Sequence, residues 1–197
     1  MPPRGPILEM ATNVEFRPLR RTDLTRLRRW LGQGEALRWY AKGKAPTAAD
    51  VTAKFLPKVV GAVPTRGFLV RVGRTPVGYA QTYRVGDSPD YAKRVGIDED
   101  AAGVDLFIGE PAFLHRGLGP RILARFLDEV VWQTTGCRSC VAGPHPTNLV
   151  AIRAFEKAGF TVVRTIGDTS DHEAETLMRI EAPPARPKGQ RQKRSSK

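Results

Sequence analysis

Cysteine and histidine are scarce, two and three among 197 residues. Cys137 and Cys140 make a single C-x-x-C with no second pair to complete a zinc site, and the histidines are scattered along the chain. A disulfide-stapled scaffold is therefore excluded and no metal site is expected; two reduced thiols are a simpler reading than half a zinc site or a redox pair. Long apolar runs are missing too. None approaches the roughly 20 residues that a bilayer crossing needs, and residues 1–10 have neither an apolar core nor a small-residue cleavage motif. The expectation is a soluble, cytoplasmic protein with no membrane partner.

Acids are missing from one place in particular. Residues 182–197 contain Arg186, Lys188, Arg191, Lys193, Arg194 and Lys197 but no Asp or Glu, so half of the net charge of +12 lies there. A Pro/Gly/Gln/Ser-rich segment of this kind cannot bury enough surface to offset the entropy of ordering, and disorder is expected. Basic charge concentrated in a tail argues against a nucleic-acid partner for the folded part. The tail itself could touch RNA or a membrane weakly, with a solubilising extension as the plainer reading. The chain as a whole is 41% hydrophobic and 26% charged, which is globular composition, and its length fits one domain. The expected organisation is a flexible segment over 1–11, one domain over 12–181, and the basic tail over 182–197.

Within the domain, Val14, Phe16 and Pro18 suggest a first strand. Thr22 starts a helix with Leu24, Leu27 and Leu31 at helical spacing, and Thr47 caps a second helix through Val59. Residues 67–72 and 75–83 read as a hairpin turning on Gly73-Arg74. A long polar stretch over 84–102 then leads to a strand over 103–109, a glycine loop, and an amphipathic helix that opens at Pro120 and runs to about Thr135. A strand at 139–142, a helix at 148–158 and strands at 161–166 and 176–180 complete the order. Hairpin strands followed by alternating strands and helices imply an α/β fold, with a mostly antiparallel sheet, a parallel centre and helices on its faces.

The segment from Phe113 to Leu123 holds His115-Arg-Gly-Leu-Gly-Pro between a strand and a helix. Backbone amides and the helix dipole make such a junction an anion site, and glycine lets the main chain approach a phosphate without obstruction. Arg116 adds a cation beside it. The spacing is neither a dinucleotide fingerprint, since Ile122 stands where the third glycine belongs, nor a Walker loop, since no Gly-Lys-Ser/Thr follows. A tight strand-to-helix turn without a ligand is the alternative.

About thirty residues later comes Pro146-Thr-Asn-Leu-Val-Ala-Ile-Arg-Ala-Phe-Glu-Lys-Ala-Gly-Phe. Together with the glycine loop, this resembles the two cofactor motifs of the GNAT acetyltransferases. The resemblance implies the GNAT fold, a twisted and mostly antiparallel sheet splayed at its parallel centre, and acetyl-CoA as co-substrate with no metal. It places the pyrophosphate on the amides of His115, Arg116, Gly117, Leu118 and Gly119, the pantetheine arm along Phe107 and Ile108, and a further contact at Asn148. Leu114 departs from the family's frequent Gln or Arg, which removes a side-chain contact but not the amides. Ala158-Gly-Phe also reads as a glycine helix stop with an inward aromatic.

A closer resemblance, over almost the whole domain, is to the aminoglycoside 6'-N-acetyltransferases. It is carried by Leu37-Arg-Trp-Tyr, Pro46-Thr-Ala-Ala-Asp-Val, Phe55-Leu-Pro-Lys-Val, Pro76-Val-Gly-Tyr-Ala-Gln-Thr-Tyr, Gly103-Val-Asp-Leu-Phe-Ile-Gly and Arg116-Gly-Leu-Gly. It implies a small cationic amine as acceptor, an aminoglycoside, with Asp105 beside the reacting amine as base or anchor. Trp39, Tyr40 and Asp90 are implied in substrate binding. The aromatic pair could equally pack the core, and Asp105 could be a purely structural residue. Three positions depart from the family: Phe155 replaces a Tyr that protonates the leaving thiolate, Gly143 replaces an Asp, and Phe55 replaces a Tyr. Another amine, such as a siderophore precursor or a protein N-terminus, and an RNA-associated module using the tail remain as alternatives.

Charge supports a cationic acceptor separately. Asp87, Asp90, Asp98, Glu99, Asp100, Asp105 and Glu110 face only Lys93 and Arg94 in one stretch, and Asp168, Asp171, Glu173 and Glu175 form a second acidic group. Two such groups at a site mouth would attract a protonated amine. The alternative is a pair of solvated faces.

Overall fold

The computed structural model of the chain describes residues 13–97, 100–170 and 172–184. The segment 1–11 with Thr12, and Asp98, Glu99, Asp171 and residues 185–197 of the basic tail, therefore lie outside the described residues. Among the described residues, no helix is long and apolar enough to cross a membrane.

Strand β1 (Val14–Pro18) leads through a 3-10 turn into helix α1 (Leu24–Leu31). A π turn (Ala36–Tyr40) and helix α2 (Ala48–Val60) follow, then the hairpin β2 (Arg66–Val72) and β3 (Thr75–Arg84). The polar stretch after β3, read from sequence as a connection, contains helix α3 (Pro89–Val95), which starts on Pro89 and stops at Gly96 with φ 55°. Its few apolar residues are put to use. Tyr91, Ala92 and Val95 cover Val85, Ala101, Val141 and Leu177, a core too short in sequence to show a helical period.

Strand β4 (Ala101–Ile108) runs to the glycine loop and helix α4 (Leu118–Phe126), extended by a π turn (Leu127–Val131) and the short helix α5 (Trp132–Thr135). Helix α4 starts at Leu118, two residues before the expected start. Pro120 then sits in the first turn, where its missing N–H would have had no helical partner. Strand β5 (Ser139–Ala142), helix α6 (Leu149–Lys157) and strands β6 (Thr161–Ile166) and β7 (Glu175–Glu181) complete the fold. The helix expected to start at Thr22 begins instead after Asp23, whose buried carboxylate is held by Arg17 at 2.8 Å and by the Arg20 N–H at 2.8 Å. Thr47 does cap α2, in a reciprocal box with Asp50.

The seven strands form one sheet in the order β1-β2-β3-β4-β5-β7-β6. Every neighbouring pair is antiparallel except β4 and β5. One face is covered by α4 and α6, which pack Ile122, Leu123, Phe126 and Phe155 onto Val70, Val104 and Cys140. The other face is covered by α1 and α2, which seat Leu27, Trp30 and Phe55 on Leu69, Tyr79 and Phe107. Side chains of this size contribute roughly 1.5–3 kcal/mol each when fully buried, so the two helical layers hold the sheet from both sides.

The parallel pair is short. β4 and β5 register only at Ala101/Ser139, Ala102/Cys140 and Gly103/Val141. β4 then continues along β3 to Ile108 while β5 ends at Ala142, so the sheet opens into a wedge beside the second half of β4.

Candidate active site

A cleft of about 500 Å³ fills this wedge. Its walls are the open edge of β4 from Val104 to Ile108, the start of α4, the loop Gly143–His145 and the face of α6. Past Gly103, the edge of β4 that faces β5 has no strand partner among the described residues, so its backbone groups are available to an extended ligand. Phe107 and Ile108 both line it.

At one end of the cleft the chain makes two left-handed steps, at His115 (φ 58°) and Gly117 (φ 69°), the second of these being the cap that precedes α4. This geometry exposes the first amides of α4, where the helix dipole favours an anion. A side chain at Gly117 would be strained by its φ although nothing crowds it. Gly119 differs: a Cβ there would make only ordinary contact with Ala154, at 3.6 Å. Packing alone does not demand glycine at 119, which agrees with an approach by a ligand. His115, Leu118 and Gly119 line the cleft; Arg116 is exposed and does not. Asn148 lines the cleft while its Oδ1 accepts from the Ala151 N–H at 3.1 Å, capping α6, which leaves its Nδ2 for another partner.

Asp105 sits halfway along β4, directly opposite Gln81 on β3. Gln81 Nε2 donates to Asp105 Oδ2 at 2.6 Å. Gln81 Oε1 in turn accepts from Lys58 Nζ at 2.7 Å and from the Tyr79 hydroxyl at 2.8 Å. Two donors on the oxygen fix the amide with its nitrogen toward Asp105. Protein surrounds the Asp105 carboxyl closely enough for desolvation to push it above the usual carboxylate range. The Gln81 hydrogen bond and the charges of Lys58 and Lys54 pull partly the other way. Burial also lowers both lysines, Lys58 to about 8. Sequence reasoning found Asp105 but missed Gln81, Lys54 and Lys58, because a single polar residue on a strand or a lysine on a helix carries no signal until the fold brings it to the carboxylate.

Farther along the cleft, the π turn Ala36–Tyr40 supplies part of the wall. Trp39 is anchored by donating to Glu35 at 2.7 Å and packs against the His145 ring with centroids 5.7 Å apart. Tyr40 packs against Phe107, 4.8 Å between centroids, and against Tyr79. Both aromatics line the cleft, so packing and lining belong to the same residues. His145 was not singled out in the sequence. Its Nδ1 lies 2.9 Å from the Thr147 hydroxyl and 3.3 Å from the Thr147 backbone nitrogen. Phe155 lines the cleft and offers no proton.

Among the described residues, four of the acids counted in the two acidic groups form ion pairs. Asp100 pairs with Arg84 at 2.9 Å, Glu110 with Arg29 at 2.9 Å, Glu173 with Lys42 at 3.5 Å and Glu175 with Arg94 at 3.2 Å. Asp168 accepts from the Ala174 N–H at 2.6 Å. Asp90 is exposed on α3 and does not line the cleft. Gly143, which stands where the resemblance sets an Asp in relatives, is crowded, because a Cβ there would collide with the Glu175 carboxylate. Among the described residues, the carboxylates that line the cleft are Asp105 and Glu35. Cys137 and Cys140 are buried and unpaired with each other.

Residues 20–167 match the family model described as an acetyltransferase (GNAT) domain. An aminoglycoside N(6')-acetyltransferase type 1 of Klebsiella pneumoniae is 32% identical over 149 residues, covering 75% of this chain and 74% of that protein. The protein of the same name from Serratia marcescens matches to the same extent. Among solved structures, aminoglycoside acetyltransferase AAC(6')-Ib in complex with coenzyme A and kanamycin superposes with a TM-score of 0.74 at 30% identity, over 85% of this chain and 94% of that one. The complex of AAC(6')-Ib with ribostamycin and coenzyme A gives 0.75 at 30% identity, over 86% and 93%.

Proposed function

Since the chain belongs to the GNAT acetyltransferase family and is an acetyl-CoA-dependent N-acetyltransferase, we propose that it acetylates a primary amine held at Asp105, in the manner of aminoglycoside 6'-N-acetylation. The observation that carries this reading is the position of Asp105, on the strand edge that borders the wedge and at the foot of the acceptor cleft.

The residues divide the work along the cleft. The amides of the His115–Gly119 turn and the N-terminus of α4 hold the pyrophosphate, and Gly119 lets it approach. The open edge of β4 at Phe107 and Ile108 aligns the pantetheine arm, with Asn148 Nδ2 as a further donor. This places the thioester carbonyl near backbone N–H groups of β4 that can stabilise the developing oxyanion. An amine attacks only as a free base. Asp105, raised by burial and oriented by Gln81, takes its proton or anchors it as it passes to water. Phe155 cannot protonate the departing thiolate, so solvent fills that role. Trp39 and Tyr40 cover the acceptor and exclude water from the reacting atoms. The reading carries a cytoplasmic location, where acetyl-CoA is available, and needs no metal or nucleic acid.

A second reading, an amine other than an aminoglycoside, is favoured by one observation: the charges of Lys54 and Lys58 act on Asp105, while Glu173 and Glu175 are already paired with Lys42 and Arg94. Coenzyme A release with kanamycin, tobramycin, a 6'-hydroxyl aminoglycoside, hydroxylysine and a basic peptide separates the two. Turnover of the 6'-amino compounds alone supports the first reading. Turnover confined to the others moves the acceptor to the second.

A further inference from the structure

Beyond the cleft, on the far side of Tyr40, lies a second cavity of about 320 Å³ between the π turn and α2. Leu31, Pro46, Val51 and Phe55 form its apolar walls, and Lys42, Lys44 and Lys54 its polar ones. Asp50 is the one acid lining it, and Asp50 Oδ2 accepts from both the Thr47 N–H at 2.9 Å and the Thr47 hydroxyl at 2.7 Å. That carboxylate is committed to capping α2. Lys42 reaches Glu173 at 3.5 Å on the surface, whereas Lys44 and Lys54 have no carboxylate within ion-pair distance among the described residues.

Lys42, Lys44 and Lys54 are exposed along this cavity, so their charges are open to an incoming group. Lys54 Nζ stands 4.4 Å from the centre of the Tyr40 ring, and Lys58, one turn further along α2, hydrogen-bonds the amide that orients Asp105. Three ammonium groups around one small cavity repel each other, and a polycation bound at Asp105 would meet two of the chain's own lysines. An anion placed among them reverses both effects.

We propose that this lysine-lined cavity binds an anionic oxygen group of the acceptor, so that the preferred acceptor is a primary amine that also carries a carboxylate or a phosphate. The amine reaches Asp105 on one side of Tyr40, and the anion reaches Lys44 and Lys54 on the other. Tyr40 lines both cavities and stands between them. The inference rests on the proposed transfer to an amine at Asp105 and develops its second reading, an acceptor other than an aminoglycoside, by adding the chemistry of a second recognition point.

Three acceptors with the same amine test it: 6-aminohexanoate, 6-aminohexyl phosphate and the neutral 6-aminohexanamide, with kanamycin as a control for acetyl transfer itself. For the full chain with acetyl-CoA, kcat/KM for at least one anionic compound is expected to exceed that for the amide by tenfold or more, mainly through KM. Whichever anion is preferred identifies the group. In a Lys44→Gln/Lys54→Gln variant the preference is expected to collapse to within about twofold, while Lys44→Arg/Lys54→Arg retains it; retention in the arginine variant separates lost charge from a damaged fold. A wild-type enzyme that acetylates the amide or kanamycin but shows no preference for either anion overturns the inference and leaves the proposed function standing. Failure on every amine, with acetyl-CoA still bound, overturns both.

Discussion

Gln81 and Asp105 face each other across β3 and β4, and the Gln81 amide donates to the Asp105 carboxylate at 2.6 Å. Because Lys58 and Tyr79 both donate to the amide oxygen, Gln81 cannot flip without losing two bonds and turning its own oxygen toward a carboxylate. Gln81→Leu removes a hydrogen bond to a charged group, an interaction of about 1.5–3 kcal/mol. The expected outcome is a loss of roughly tenfold or more in kcat/KM, with the acid limb of the pH profile displaced upward, since Gln81 lowers the Asp105 pKa. A lower rate with an unmoved limb would reduce Gln81 to a packing role.

Burial raises the Asp105 carboxyl, which links activity and stability to pH in opposite directions. Between the usual aspartate range and the raised value, the folded chain keeps a proton that the unfolded chain has released. This group's contribution to stability therefore falls as pH rises through that window, and at neutral pH it is a cost. Asp105→Asn removes the charge but keeps an acceptor for Gln81. It is expected to raise Tm at pH 7, by about 2–4 °C per kcal/mol relieved, with the gain shrinking as pH is lowered. Thermal melts at pH 7 and pH 4 check this; a Tm below wild type at pH 7 contradicts it.

Gly119 separates a packing glycine from a binding glycine. A Cβ there meets only Ala154, at ordinary distance, so Gly119→Ala should fold normally and Gly119→Val should obstruct the pyrophosphate. Calorimetric titration is expected to show acetyl-CoA affinity lowered about tenfold or more in the valine variant, with Tm of the free protein within a few degrees of wild type. Gly117→Val, at φ 69°, is expected to lose stability as well as affinity.

Removing residues 182–197 is expected to leave kcat/KM for a small amine unchanged, since β7 ends at Glu181 and the cleft is lined by residues 35–157. Steady-state kinetics on the shortened chain check this, and an RNA-binding assay on both forms tests whether the tail has a partner of its own.

Much of the frame was legible in the sequence. Thr47 with Asp50, Gly73-Arg74 and Ala158-Gly-Phe are local signals whose cause lies within a few residues, and the elements fell close to where these place them. The glycine loop and Asn148 could be paired as one site because two spaced motifs resembled one family. Helix α3 was not visible, since seven residues with Asp90, Lys93 and Arg94 among them show no apolar period and fold against a core supplied by distant strands. The ion pairing of several of these acids was not legible for a related reason. Composition counts acids, whereas the fold pairs them: Arg94 comes to Glu175 across 81 positions, and Arg29 to Glu110 across the same span. Lys58 near Asp105 is likewise a product of α2 lying on the sheet.

The most direct test is coenzyme A release from acetyl-CoA with kanamycin as acceptor, measured for wild type and Asp105→Asn beside acetyl-CoA affinity for each. A fall in acetyl transfer of at least roughly tenfold with unchanged acetyl-CoA affinity is the expected result, and it places Asp105 at the amine. Equal turnover by the two proteins would contradict it, and would remove Asp105 as both base and anchor.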